Sequence, residues 1–204
     1  MVKVKVCGIT RLEDALLALE LGADLIGFNF WPGTPRKIEL EDAKRIFNEI
    51  KGKAEIVGVF VNQPMKEIAE VSQVLQMNWV QLHGEENPEY CSAFAIPVIK
   101  ALRLASEADL KMMKKYYNVL WLIDSKTAGF GGSGISPDWN LAKKASEKAG
   151  KIILAGGLNP ENVAQAISAV QPWAVDVASG VESAPGIKDR EKMKKFFQAV
   201  KNGS

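Results

Sequence analysis

Five polar side chains stand at or near the ends of short apolar runs and have the chemistry to move protons. Cys7, His83 and Asp124 each close a run, while Gln81 and Asp176 lie within one. Because alternate residues of a strand share a face, Cys7, Gln81, His83 and Asp176 lie opposite the outward valines and leucines of their own runs. Asp124 ends a run that is apolar on both faces. A thiol, an imidazole and two carboxylates that face one cavity suit general acid and base catalysis.

Small residues and one arginine add the chemistry of anion binding. Gly156 and Gly157 follow the seventh apolar run, and Ser179 and Gly180 follow the eighth. Such residues let backbone N–H groups approach a phosphate, and a following helix N-terminus adds positive potential. Arg36 stands in a loop stiffened by two prolines, where its fork of donors suits a carboxylate or phosphate. We therefore predict a doubly anionic substrate.

A glycine-rich segment, GFGGSG at residues 129–134, has the G-x-G-x-x-G spacing of dinucleotide-binding turns. Its first glycine comes five residues after Asp124 rather than at the strand end, and no acidic residue follows the next strand to hold a ribose. We interpret it instead as a loop that closes over substrate, with Gly132 contributing a backbone donor to phosphate.

Each of these residues also has a structural interpretation. Cys7 could be an inert buried thiol, His83 a hydrogen-bonded core histidine, and Asp124 a turn residue. Arg36 could be a solvated surface cation, and the glycines could serve only the turns that enter helices. The functional interpretation is favoured because so many of these residues fall at the ends of predicted strands.

Eight apolar runs position these groups, and a segment with helical spacing follows each run. The runs occupy residues 2–7, 25–30, 56–61, 79–83, 98–102, 119–124, 152–155 and 175–178. Eight strand and helix pairs in about 200 residues are typical of a minimal (β/α)₈ barrel. We therefore predict an α/β fold, a single-domain TIM barrel over residues 1–204, with the polar groups at one mouth.

Several of the helices carry recognisable start signals. Thr10 and Glu13 have the spacing of a capping box. Three triplets of the form Asn/Ser-Pro-acid, at residues 87–89, 136–138 and 159–161, predict an N-cap followed by proline at the first helical position.

Composition narrows the function classes. The 204 residues are 47% hydrophobic and 25% charged, and 26 basic against 24 acidic residues leave a net charge of +2. With both signs scattered, nucleic acid is not an expected partner. Two cysteines outside any metal-ligand spacing indicate a reducing cytoplasm and no metal site. No secretory signal or long apolar span occurs, so we expect no membrane contact.

Several segments together resemble the phosphoribosylanthranilate isomerase family of tryptophan biosynthesis. They are KVCGIT at 5–10, residues 27–28 and 35–36, QLHGE at 81–85, Asp124 with GGSG at 131–134, residues 138–139, GGLNP at 156–160, and residues 176–182. The resemblance runs from Cys7 to about Asp189, with its motifs in order at successive strand ends.

The resemblance implies a cofactor-independent Amadori rearrangement of an aminoaldose phosphate. Asp124 would be the general acid that opens the ribose ring, and Cys7, as thiolate, the base at C2′. Arg36 would hold the anthranilate carboxylate, Gln81, His83 and Asp176 would contact substrate, and the glycine loops would bind phosphate. We expect a monomer or a homodimer.

Two other functions remain open at this point. An indole-glycerol-phosphate-type synthase or lyase would need a pair of glutamates or a catalytic lysine at the mouth, and Lys5 and Lys100 are the candidate lysines. A phosphosugar-binding protein without catalysis would have no use for an opposed cysteine and aspartate.

Overall fold

The computed structural model describes residues 1–125 and 138–203, apart from the side chain of Ser125. Within them, eight parallel strands close into a barrel in chain order. These strands, β1 to β8, span Lys3–Cys7, Leu25–Asn29, Glu55–Phe60, Trp79–Leu82, Val98–Leu104, Val119–Ser125, Ile152–Leu154 and Ala174–Val177. The predicted (β/α)₈ fold is confirmed, and each predicted strand lies within two residues of an observed one.

Helices alternate with the strands around the barrel. Helices α1 to α8 span Leu12–Leu21, Leu40–Ile50, Met65–Val74, Pro88–Ser92, Glu107–Met112, Trp139–Ala149, Val163–Val170 and Arg190–Gly203. Short 3₁₀ turns lie at Met113–Lys115 and Ser179–Val181. None of the helices in the described part of the chain combines the length and apolar character that a membrane span requires.

Alternation along the strands sorts the side chains into two layers. The outward residues pack under the helices, as Val4 and Val6 of β1 do. The barrel interior is filled by a smaller apolar cluster made of Leu25, Val57, Ile99, Ala101, Leu122, Ile153, Ala155 and Ala174. Above this cluster the inward positions become polar, which leaves room for a site at the carboxyl ends of the strands.

Of the four predicted helix starts, one is right, two are wrong and one is shifted. Asn87 caps α4 by accepting a hydrogen bond from the Tyr90 N–H at 2.8 Å. The residue before α1 is Arg11, and the Thr10 hydroxyl instead donates to the Gly186 carbonyl at 2.5 Å. Helix α7 begins at Val163, because residues 159–162 form a separate turn in front of it.

The remaining predicted start, at residues 136–138, is shifted: Asp138, rather than Ser136, caps α6, accepting from the N–H groups of Asn140 and Leu141. A further element was not predicted at all. After β8 the chain forms an antiparallel hairpin of β9, Glu182–Ala184, and β10, Ile187–Lys188. This hairpin brings two charged side chains to the barrel mouth.

Candidate active site

One cavity at the carboxyl ends of the strands brings together most of the predicted site residues. Its lining includes Cys7, Arg36, Gln81, His83, Asp124, Gly156, Gly157, Asp176 and Ser179. Gly180 is not among the lining residues, and Gly132 lies outside the described part of the chain. The cavity therefore unites groups from six strands or their following loops.

Cys7 ends β1 and is 7% exposed. Its neighbour in β2 is Gly27, where a Cβ atom would lie 2.9 Å from Sγ, so the thiol occupies space that only glycine leaves free. Burial raises the pKa of Cys7, although the charge of Lys5 works against that rise. The thiol is thus the resting form at neutral pH, and Cys7 must lose its proton before it can act as a base.

Lys5 lies one inward step below Cys7 and is fully buried. Its Nζ donates to Asp176 Oδ1 at 2.7 Å across the seam between β1 and β8. Burial alone would lower the pKa of Lys5, but the charges of Asp176 and Cys7 and its hydrogen bonds to them raise it. Lys5 therefore stays cationic beneath the thiol.

His83 and Asp124 face each other from β4 and β6. The side-chain amide of Gln81 lies 2.9 Å from His83 Nδ1 and holds the orientation of the ring. His83 Nε2 lies 3.3 Å from Asp124 Oδ2 without forming a hydrogen bond. The imidazole edge is thus directed at the proposed acid.

The glycines of the seventh loop have backbone conformations that suit an anion. Gly156 and Gly157 have φ angles of 83° and 60°, and residues in such left-handed conformations help form concave rows of N–H groups. Ser179, which follows β8, lines the same cavity. Gly180 has another reason to be glycine: a Cβ there would lie 1.9 Å from the Leu158 carbonyl oxygen, in the neighbouring loop.

Comparison with known proteins identifies the family. A family model described as N-(5′phosphoribosyl)anthranilate (PRA) isomerase matches residues 4–199. The chain belongs to this family. It is 47% identical over 203 residues to the N-(5′-phosphoribosyl)anthranilate isomerase of Thermotoga maritima, covering 98% of this chain and 99% of that one.

Two solved structures extend the phosphoribosylanthranilate isomerase likeness. Monomers generated from the dimeric Thermotoga maritima enzyme are 45% identical, with a TM-score of 0.89 over 98% of this chain and 99% of theirs. A phosphoribosyl anthranilate isomerase in complex with reduced 1-(o-carboxyphenylamino)-1-deoxyribulose 5-phosphate is 44% identical, with the same TM-score and coverage.

The alternative of a lysine-dependent synthase loses its candidates. Lys100 is buried and donates to the carbonyls of Leu82 and Gly84 and, at 2.9 Å, to Glu86 Oε2. Lys5 is paired with Asp176. A catalytic lysine must reach the substrate, and neither Lys5 nor Lys100 is among the residues that line the cavity.

Among the described residues, no three His, Cys, Asp or Glu side chains are grouped so that they could hold a metal ion.

Sequence reasoning missed two residues of the mouth, Glu182 and Lys188. Arg36 donates to Glu182 from Nε and Nη2, and Lys188 Nζ donates to the same carboxylate. Neither residue lies in a strand that the apolar pattern predicts, and a charged residue in a short hairpin has no signal of its own. Only the fold brings residues 146 positions apart into contact.

Proposed function

We propose that Cys7 and Asp124 divide the proton transfers of the isomerisation at this mouth. The reaction of the family, the aldose–ketose isomerisation of N-(5′-phosphoribosyl)anthranilate in tryptophan biosynthesis, is the activity of this chain. The observation that carries the assignment is that a thiol from β1 and a carboxylate from β6 line one cavity.

Ring opening is the first step. Asp124, acting as general acid, gives a proton to the ribose ring oxygen as the bond from that oxygen to C1′ breaks, and the anthranilate nitrogen supplies the electron pair of the new C1′=N bond. The product is a cationic Schiff base with a free 4′-hydroxyl. His83, whose Nε2 faces Asp124, is placed to interact with this carboxylate as its charge changes.

Removal of the C2′ proton is the second step. The cationic Schiff base stabilises a nearby anion, so its formation beside Cys7 favours release of the thiol proton to solvent water. The thiolate then takes the C2′ proton, the electrons of that C–H bond form the C1′=C2′ bond, and the electron pair of the C1′=N bond returns to nitrogen. The resulting enolamine becomes the ketone when C1′ takes a proton from the Cys7 thiol and the 2′-hydroxyl gives its proton to the Asp124 carboxylate, which restores both groups. C2′ is oxidised while C1′ is reduced, so the steps balance without a redox cofactor.

Each end of the substrate has a proposed binding group. Arg36 receives the anthranilate carboxylate, because a guanidinium fork matches a carboxylate. Backbone N–H groups near Gly156, Gly157 and Ser179 receive the phosphate. Gln81 and Asp176 position the ribose between them. Gly132 stays a proposed phosphate donor, and Gly180 is assigned to the contact between loops as well as to phosphate binding.

The wider setting of the activity is also a proposal. We infer that residues 1–204 form one domain, since α8 packs against α7 and α1 and completes the ring of helices. We propose a monomer or a homodimer, supported by the dimeric Thermotoga maritima relative. Free Cys7 and Cys91 suit a reducing cytoplasm, and a net charge of +2 gives no footprint for nucleic acid.

The experiment uses freshly prepared phosphoribosylanthranilate and follows its fluorescence. Wild-type protein should accelerate the decay beyond the spontaneous rate and yield the carboxyphenylamino deoxyribulose phosphate, whereas Cys7→Ser and Asp124→Asn should not. Binding of the reduced product analogue without turnover by the wild-type protein would instead support a phosphosugar-binding protein.

A further inference from the structure

A protein carboxylate sits directly behind Arg36. Glu182 of the β9–β10 hairpin accepts from Arg36 Nε at 2.9 and 3.1 Å and from Nη2 at 2.7 Å. The Glu182 side chain is 4% exposed and the Arg36 side chain is 13% exposed. Arg36 lines the active-site cavity whereas Glu182 does not, so the carboxylate holds the edge of the guanidinium that is turned away from substrate.

Lys188 holds Glu182 from the other side. Its Nζ donates to Glu182 Oε1 at 2.9 Å, to the Cys7 carbonyl at 2.7 Å and to the Ala178 carbonyl at 3.2 Å. An ammonium group has three N–H donors, so this geometry uses all of them. Glu182 is thereby tied to the ends of β1 and β8, the two strands that carry Cys7 and Asp176.

The stem of Arg36 is held as well. A Cβ atom at Gly8, the residue after Cys7, would lie 2.8 Å from Arg36 Cδ, and Gly8 has a φ angle of +69°. The arginine therefore packs directly on the backbone that follows the proposed base. Its position at the mouth depends on this close approach and on the carboxylate behind it.

Glu182 is the anion at the centre of this cluster. Burial would raise the pKa of Glu182, but hydrogen bonds from Arg36 and the charge of Lys188 outweigh it and hold that pKa below its usual range. Burial lowers the pKa of Lys188, although the charge of Glu182 and its hydrogen bond work against that fall. Arg36 is the one member of the cluster that lines the cavity.

The guanidinium group has two faces that can grip a carboxylate: the side formed by Nε and Nη2, and the end formed by Nη1 and Nη2. We propose that Glu182 is a positioning residue that occupies the first face and so presents the second to the carboxylate of the substrate's aromatic ring. The inference rests on the proposed role of Arg36, and it makes Glu182 a determinant of specificity for carboxylated substrates.

The test compares two inhibitors that differ only in that carboxylate: the reduced product analogue and its counterpart made with aniline. Glu182→Gln should raise KM for phosphoribosylanthranilate and Ki for the carboxylated analogue by about tenfold or more, with a much smaller fall in kcat. Ki for the aniline counterpart should change by less than about twofold, since it makes no use of Arg36. Glu191→Gln, which removes an exposed partner of Lys194, is the matched control.

A double-mutant cycle separates positioning from general disruption. In an Arg36→Met background, Glu182→Gln should add less than about a twofold change in Ki, because its effect acts through Arg36. Equal weakening of both inhibitors would overturn the proposal, and a lower KM would show that Glu182 competes with substrate. Glu182→Asp, which keeps the charge but retracts it, serves the same comparison should Glu182→Gln fail to fold. If the wild-type protein did not turn over phosphoribosylanthranilate, that result would instead overturn the proposed function itself.

Discussion

Lys5 Nζ lies 2.7 Å from Asp176 Oδ1, directly below the thiol of Cys7. The pair places a positive and a negative charge beneath the proposed base, and the two charges shift the pKa of Cys7 in opposite directions. Lys5 lowers the pKa of Cys7 and Asp176 raises it, while burial, the largest influence, raises it further. The net result is a protonated thiol whose ionisation depends on the balance between the buried Lys5 and the partly exposed Asp176.

The alkylation of Cys7 by iodoacetamide should report this balance. Only the thiolate reacts, so the rate should rise with pH and reach its midpoint above the ordinary thiol value of about 8.5. Lys5→Met should move the midpoint to still higher pH, because the stabilising cation is gone. Asp176→Asn should move it to lower pH, because an anion is removed.

Cys91 must not contribute to that measurement, so the variants are made with Cys91→Ala. Burial raises the pKa of Cys91 to about 11, and its labelling in a Cys7→Ala protein supplies the background rate. Shifts of the same sign in the Lys5 and Asp176 variants would contradict the account.

Replacing Cys7 tests whether the thiol takes the C2′ proton. Cys7→Ser should lower kcat by at least about 100-fold, because a hydroxyl of nearly the same size is a far weaker base. Binding of the reduced product analogue should change little, which calorimetric titration can check. Turnover near the wild-type rate would remove Cys7 from the mechanism and make His83 the next base to test.

The sequence predicts the barrel because its signals are local and repeated. Eight apolar runs with turns between them require no knowledge of distant contacts, and alternation within each run correctly turned Lys5 and Asp176 inward. It also placed Cys7, His83 and Asp124 at one mouth. Strand parity and the rule that strand ends share a face are enough for those positions.

The unpredicted features depend on long-range contacts. Glu182 has a role only because the hairpin after β8 returns to the loop after β2, a pairing that no local pattern encodes. The small size of Gly180 predicts a role in phosphate binding, but a side chain at this position would also collide with the Leu158 carbonyl of the neighbouring loop. The resting state of Cys7 likewise depends on burial, which outweighs the nearby Lys5 that the sequence made visible.

Asp124 should be needed for chemistry rather than for binding. Asp124→Asn keeps the shape but cannot supply the proton, so kcat should fall at least about 100-fold while Ki for the reduced product analogue stays close to that of wild type. Stopped-flow measurement with saturating substrate gives kcat directly. Should Ki rise as steeply as kcat falls, Asp124 would be a binding residue.

Phosphate binding should be sensitive to charge in the loop after β7. Inorganic phosphate should compete with substrate, and Gly157→Asp should raise its Ki by about tenfold or more through like-charge repulsion. Gly150→Asp is the matched control, because Gly150 also has a positive φ angle, 74°, but has open space around it. Equal effects of the two substitutions would indicate backbone strain or net charge rather than a phosphate site.

Lys100 and Glu86 should stabilise the fold beneath the fourth loop. Both side chains are at most 4% exposed, and Glu86 also accepts from the N–H groups of Asn62 and Gly84. Lys100→Met leaves a buried carboxylate without its cation, so the free energy of unfolding should fall by about 3–5 kcal/mol in urea titrations at neutral pH. Adding Glu86→Gln should recover part of the loss, since a neutral amide can accept from those N–H groups and donate to the carbonyls that Lys100 vacates.

The exposed Lys66 beside Glu70 provides the comparison: Lys66→Met should change stability by less than about 1 kcal/mol. A Lys100→Met protein as stable as the Lys66→Met protein would mean that water reaches Glu86 and that the pair contributes little to the fold.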